Sequence, residues 1–262
     1  MSTMLVTGGT GHVGRALVAR LAGEHEVRVL TRSPGTDTDI RWYRGDLASG
    51  RGVPEAVHGA DVVIHAATHS PAAQRGFPLP RDARRSPPEV DVDATSQLLD
   101  LAAANGVRHF VQVSIVGVEE PWGAYPRLKH TAEELVRVGD VPWSIVRSTP
   151  FHWLIARMLD SAARLPLVPL PKSAPIQPAD SDEFAAFAAA AVAKGPSGTA
   201  AEFGGPEVMD LATAVEQWQT ARRRRLRVLG LPLPDRTRRR LQAMTCPEGT
   251  LGEVTWSDWL RE

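Results

Sequence analysis

Apolar residues along this chain alternate between two spacings. Short continuous runs bounded by turn residues predict strands: Met4-Leu5-Val6, Val27-Arg28-Val29-Leu30, Ile40 to Tyr43, Val62-Val63-Ile64, Phe110 to Val113 ending at Ser114, and Trp143 to Val146. Between them, one-face periodicity predicts helices. Val13, Leu17, Val18 and Leu21 share a stripe, Ala94 to Ala104 turns Leu98, Leu99 and Ala102 inward, and a third helix is expected from about Pro126 to Val138. Strand and helix in alternation give the α/β class, with a doubly wound parallel sheet.

After Thr149-Pro150 the pattern changes to helices separated by Pro-rich connections: Phe151 to Arg164, Ser181 to Ala193, Leu211 to about Arg222, and a terminal WSDWL. No internal repeat is evident. The expected organisation is a nucleotide-binding domain at 1–150 and a smaller, mainly helical substrate lobe at 151–262 over the carboxyl edge of the sheet, where open α/β folds bind ligands. Residues 69–88 are rich in Pro and Arg and lack periodicity, so a mobile loop is expected there, placed to act as a lid.

Composition narrows the partners. The 30 basic residues balance the 30 acidic ones, so no global field recruits nucleic acid or an acidic membrane, and a small molecule is the expected partner of a monomer or homodimer. The single cysteine, Cys246, excludes an internal disulfide framework, and no His, Asp, Glu or Cys spacing points to a metal. There is no apolar run of membrane-spanning length and no signal-peptide layout, which reads as a soluble, cytoplasmic protein. Arg222 to Arg225 and Arg238 to Arg240 invite a nucleic-acid reading, but the first run closes a helix, where cations complement the dipole.

The chemistry begins at TGGTGHVG, residues 7–14. Thr7, Gly8, Gly9, Thr10, Gly11, His12, Val13 and Gly14 follow a strand and open a helix, the setting in which glycines turn tightly and backbone N–H groups receive a pyrophosphate. At the end of the second strand, Arg32 and Ser33 stand where a carboxylate would bond a ribose 2′-hydroxyl; a guanidinium there suits a 2′-phosphate, so NADP is expected over NAD. A solvated surface arginine is the alternative for Arg32. Asp46-Leu47 after the third strand can face an adenine or simply form a turn.

TGGTGHVG, VRVLTRSP at 27–34, GDL at 45–47, VIHAAT at 63–68, VRHFVQVSIVGVE at 107–119, YPRLK at 125–129 and VPWSIVRSTPFHW at 141–153 resemble the atypical short-chain dehydrogenase/reductases, specifically the NmrA-like NAD(P)-binding proteins. IQPADSDEFA, GGPEV and TWSDWL extend the resemblance over nearly the whole chain. It implies a Rossmann fold, an NADP(H) cofactor and an oxidoreductase that reduces a ketone or quinone, an aromatic or polycyclic molecule of secondary metabolism. A cofactor-binding redox sensor without turnover, or an isomerase or epimerase using the same site, are the alternatives within that resemblance.

By the same resemblance, Ser114 bonds the substrate carbonyl, Tyr125 donates the proton, and Lys129 lowers the phenol pKa and holds the nicotinamide ribose. Ala66, Ala67 and Thr68 lie along the cofactor. A tyrosine near its free pKa of ~10 relays protons poorly at neutral pH, which is why a nearby cation is expected. Pro126 complicates the pair: with proline at the first helical position, Tyr125 becomes a cap residue with extended backbone. Phe151, His152, Trp153 and Trp122 are candidate substrate-lining residues, His152 being equally suited to a helix-start hydrogen bond and the aromatics to core packing.

Overall fold

Strands that read as unbroken apolar runs need both faces covered, and that is how they are used. The computed structural model describes residues 1–33, 35–77, 80–121 and 123–262. The strands are β1 (Thr3–Thr7), β2 (Glu26–Thr31), β3 (Ile40–Arg44), β4 (Val62–His65), β5 (His109–Ile115), β6 (Trp143–Ser148), β7 (Val168–Leu170), β8 (Pro175–Ile176), β9 (Ala200–Gly204), β10 (Met209–Asp210), β11 (Val228–Gly230) and β12 (Thr250–Leu251). Eight of them form one parallel sheet in the order β12-β9-β6-β5-β4-β1-β2-β3. The direction of winding reverses between β1 and β4, which opens a crevice at their carboxyl ends.

The helices are α1 (His12–Leu21), α2 (Val53–Val57), α3 (Pro71–Arg75), α4 (Ala94–Ala104), α5 (Ala124–Val138), α6 (His152–Ala162), α7 (Ser181–Lys194), α8 (Leu211–Arg222), α9 (Asp235–Gln242) and α10 (Trp256–Trp259). Neighbouring strand residues point to opposite faces. Val6, Val29, Ile64, Val111 and Val146 pack under Leu17 and Val18 of α1 and Phe184 and Ala188 of α7. Leu5, Leu30, Val63, Phe110 and Ile145 pack under α2, α4 and α5. Each such side chain, fully buried, contributes roughly 1.5–3 kcal/mol.

The chain beyond residue 150 contributes to two bodies. α7, β9 and β12 join the main sheet layers, while α6, α8 and α10 bury Trp218, Trp256 and Leu226 in a third cluster with β7 and β11. Two local expectations change. Residues 69–88, expected to lack regular structure, include α3, whose start is capped by Ser70 Oγ accepting from Ala73 N and whose end is Gly76 at φ +82°, and a 3-10 turn at Pro80–Ala83. An Arg75–Asp82 ion pair ties these pieces together. A π-helical turn, Glu89–Asp93, then leads directly into α4.

The second change concerns Pro126. α5 starts at Ala124, two residues earlier than the sequence predicts, with Gly123 as its N-cap. Pro126 therefore sits in the first turn, where its missing N–H costs no intrahelical bond. Tyr125 is inside the helix, one turn before Lys129 and on the same face.

Candidate active site

The site assembles where β1, β4 and β5 end. Gly8, the residue after β1, has φ +71°, and a Cβ there would lie 2.6 Å from Ala67 N. A Cβ on Gly14 would lie 2.1 Å from Gly8 O, so the turn closes only with glycine at both places. Gly11 differs. It is exposed, its added Cβ would meet only Gly8 O at 3.3 Å, and it is the N-cap of α1 with no side chain capping the helix. A side chain at Gly11 would press on Gly8 O and stand beside the uncapped N–H groups of α1, where an anion would rest. The turn thus fits the pyrophosphate of a dinucleotide.

Around it, Ala66 N bonds Thr7 O at 3.2 Å, which seats Ala66 and Ala67 against the glycine turn. Thr10 and His12 are exposed at the start of α1, and Val13 is half-buried. His12 stacks on Trp153 with ring centroids 4.0 Å apart, and Trp153 lies nearly parallel to Phe151 at 6.4 Å, so two of the expected lining aromatics form a wall beside the phosphate turn. Partial burial, then the charges of Arg15 and Arg157, hold the His12 pKa down. Trp122 lies outside the described residues.

His152 points the other way. It is buried between Trp256 and Trp259, at 5.8 and 5.7 Å, and burial lowers its pKa to about 4. Arg32 and Ser33 are exposed after β2, and the β2–β3 register sets Arg44 opposite Thr31 at the same edge. Asp46 Oδ1 accepts from Ala48 N at 3.2 Å, closing its own turn, while Leu47 packs on the core.

The tyrosine is held by a network that the sequence reading did not contain. Tyr125 Oη lies 3.0 Å from Thr68 Oγ1, Thr68 Oγ1 donates to Asp91 Oδ1 at 2.6 Å, and Asp91 Oδ2 accepts from His69 N at 2.9 Å. Lys129 Nζ is 3.6 Å from Asp91 Oδ1 and donates to Val113 O at 2.8 Å. Asp91 is 1% exposed and Lys129 2%, so the two charges neutralise each other away from water. Proton counting fixes the direction: Thr68 has one hydroxyl proton, and Asp91 takes it, so Tyr125 is the donor to Thr68.

This arrangement reverses one expectation. Burial, and then the Asp91 carboxylate, push the Tyr125 pKa well above that of a free phenol, against the hydrogen bond to Thr68. Lys129 is engaged with Asp91, so the phenol stays protonated instead of being poised to ionise. Ser114 does not join the group. Its buried Oγ has no well-formed hydrogen bond and lies beside Glu133. Glu133 is gripped at 2.9 and 2.7 Å by Arg147, which outweighs the upward push of burial on its carboxyl pKa.

Asp91 was detectable. Extending the inward stripe of α4 (Leu98, Ala102) back through Thr95 lands on position 91, so one acidic residue falls on a buried stripe. A second buried polar pair was not: His65 Nδ1 lies 2.6 Å from Thr7 Oγ1, with the His65 pKa lowered to about 4 chiefly by burial.

A parallel sheet wound in this order, with a glycine turn opening its first helix, defines a dinucleotide-binding protein of the short-chain dehydrogenase/reductase type. A family model described as NAD(P)H-binding matches residues 8–152. The (4-alkanoyl-5-oxo-2,5-dihydrofuran-3-yl)methyl phosphate reductase of Streptomyces griseus is 33% identical over 244 residues, covering 88% of this chain and 75% of the relative. A ceramide reductase of Caulobacter vibrioides is 30% identical over 177 residues, 63% of this chain and 52% of its own. Among solved structures, MoeE5 in complex with UDP-glucuronic acid and NAD superposes with a TM-score of 0.73 at 18% identity, over 98% of this chain and 96% of that one. The UDP-glucuronic acid 4-epimerase of Bacillus cereus in complex with NAD gives 0.71 at 18% identity, over 99% and 94%. The chain belongs to the NAD(P)H-binding family of NmrA-like, atypical short-chain dehydrogenase/reductases.

Proposed function

We propose that the protein is an NADPH-dependent reductase of a ketone or quinone, with Tyr125 as the proton donor. The observation that carries this reading is the Tyr125–Thr68–Asp91–Lys129 network at the strand ends beside the phosphate turn. A bound nicotinamide supplies the hydride. Tyr125 gives its proton to the substrate oxygen as negative charge develops there. Its raised pKa makes the phenol a weak acid at rest, so the transfer is driven by the negative charge that the arriving hydride leaves on the substrate oxygen.

After the transfer, Thr68 turns its hydroxyl from Asp91 to the tyrosinate oxygen. Thr68 is exposed at the site mouth, so a water proton restores the resting state through it. Lys129 and Asp91 hold this frame in place as a neutral pair. Gly11 and the start of α1 receive the pyrophosphate, Arg32 the 2′-phosphate with Arg44 at the same edge, and Ala66 and Ala67 bound the cofactor. Phe151 and Trp153 border the substrate side of the site, with His12 stacked on Trp153. Ser114 has no part in this relay, since its hydroxyl faces Glu133.

The test is NADPH consumption on a panel of quinones and ketones by wild type and Tyr125→Phe, with cofactor affinity measured in parallel. The variant is expected to bind NADPH normally and lose at least roughly 100-fold in kcat. Equal turnover by the variant refutes the relay. Cofactor binding by wild type without consumption on any carbonyl favours a sensor.

A further inference from the structure

A second surface lies in the C-terminal part of the chain. Although the chain as a whole carries no net charge, residues 222–240 hold nine arginines and a single acidic residue, Asp235. The arginines bracket β11, which pairs in parallel with β7 to make a separate two-stranded ribbon. The ribbon's inner residues, Val168, Leu170 and Val228, pack against the Trp218 cluster. By strand alternation its outer face carries Leu167, Arg227 and Leu229, with Leu231 continuing that side. Leu167 is 51% exposed, Leu229 51% and Leu231 44%. The following helix, α9, is rich in arginine and has no buried residue at all.

We propose that this face docks on an anionic lipid surface. Exposed leucines flanked along the chain by arginines match the two attractions that hold a peripheral protein at such an interface: apolar side chains enter the headgroup layer, and cations meet its negative potential. A second copy of the chain fits poorly, because a two-fold contact through this patch sets the arginine clusters against one another. Nucleic acid fits poorly too, since the ribbon centres on leucines and carries no aromatic ring for stacking bases.

The test is co-sedimentation of the full chain with vesicles of phosphatidylcholine alone or with about one-third phosphatidylglycerol. Wild type is expected to pellet with the mixed vesicles, less so as salt rises, and to stay in solution with the neutral ones. The Arg223→Gln/Arg225→Gln/Arg227→Gln variant is expected to lower the partition coefficient by roughly 100-fold. The Leu229→Gln/Leu231→Gln variant is expected to lower it by at least roughly 10-fold. Unchanged circular dichroism and NADPH affinity confirm that each variant is folded. Failure of wild type to pellet with anionic vesicles overturns the proposal. So does full binding by the leucine variant combined with equal competition by duplex DNA, which assigns the patch to nucleic acid, or concentration-dependent dimerisation abolished by the leucine variant, which assigns it to self-association.

Discussion

Replacing Asp91 by asparagine keeps the shape of the side chain and removes its charge. Asn Oδ1 still accepts from Thr68, but the amide nitrogen meets the His69 N–H that Asp91 Oδ2 now satisfies, leaving a part-buried backbone donor unpaired at about 1 kcal/mol or more. Lys129 loses a partner at 3.6 Å, an attraction of roughly 4–5 kcal/mol at an effective dielectric constant of about 20. One-sided removal of a buried ion pair costs about 3–5 kcal/mol, and the loss in unfolding free energy is expected in that range. The phenol responds in the opposite sense. With the Asp91 charge gone and Lys129 uncompensated, the Tyr125 pKa falls.

Urea denaturation measures the first effect and tyrosinate absorbance the second. The chain has only two tyrosines, Tyr43 and Tyr125, so a Tyr125→Phe background separates their titrations. In wild type the unfolded phenol ionises near ~10 and the folded one higher, so the contribution of Tyr125 to stability is constant below that pH and falls by about 1.4 kcal/mol per pH unit above it until the folded phenol ionises. The Asp91→Asn slope is expected to be shallower. An unchanged urea midpoint together with an unchanged Tyr125 titration refutes the network as described.

The remaining predictions address the turn, the cofactor and the core. Gly14→Ala forces a Cβ to 2.1 Å from Gly8 O and is expected to prevent folding, whereas Gly11→Ala shifts the melting temperature little and weakens NADPH binding in a fluorescence titration. Arg32→Ala is expected to raise the Kd for NADPH by roughly 10-fold or more and leave NADH unaffected; equal losses for both cofactors remove the 2′-phosphate assignment. His65, His109 and His152 are each held neutral with a pKa near 4, mainly by burial, while the unfolded groups take protons near ~6.5. Stability is therefore full above that pH and drains toward pH 4, by about 1.4 kcal/mol per pH unit for each histidine, and equal urea midpoints near pH 7 and pH 5 contradict this.

The first six strands were legible because short apolar-rich runs bounded by turn residues mark them, even where Arg28, Arg41, Gln112 or Ser144 interrupts the run, and the glycine turn because its neighbours on either side are a strand and a helix. Pro126 misled by two residues, since the first turn of a helix tolerates proline at several positions and local sequence does not say which. The C-terminal strands were missed for a different reason. β8, β10 and β12 are two residues each and acquire strand geometry only from their partners. At the site, Tyr125 and Lys129 were visible through their spacing, but the direction of the phenol pKa shift is set first by burial and then by Asp91, and neither follows from that spacing. His152 and Trp153 show the same limit: adjacent in sequence, they enter opposite environments as α6 begins.

The return of the chain to its own sheet has a consequence for synthesis. α7 covers the apolar face of α1, β9 pairs with β6, and β12, at residues 250–251, pairs with β9. A nascent chain of the first 150 residues therefore emerges with the Leu17 stripe bare and β6 as an unprotected edge, and both are covered only by α7 and β9, which end at residues 194 and 204. Folding of the nucleotide-binding body must wait on late, sequence-distant contacts, and over that interval the exposed edge is the part of this protein most open to mispairing with other chains.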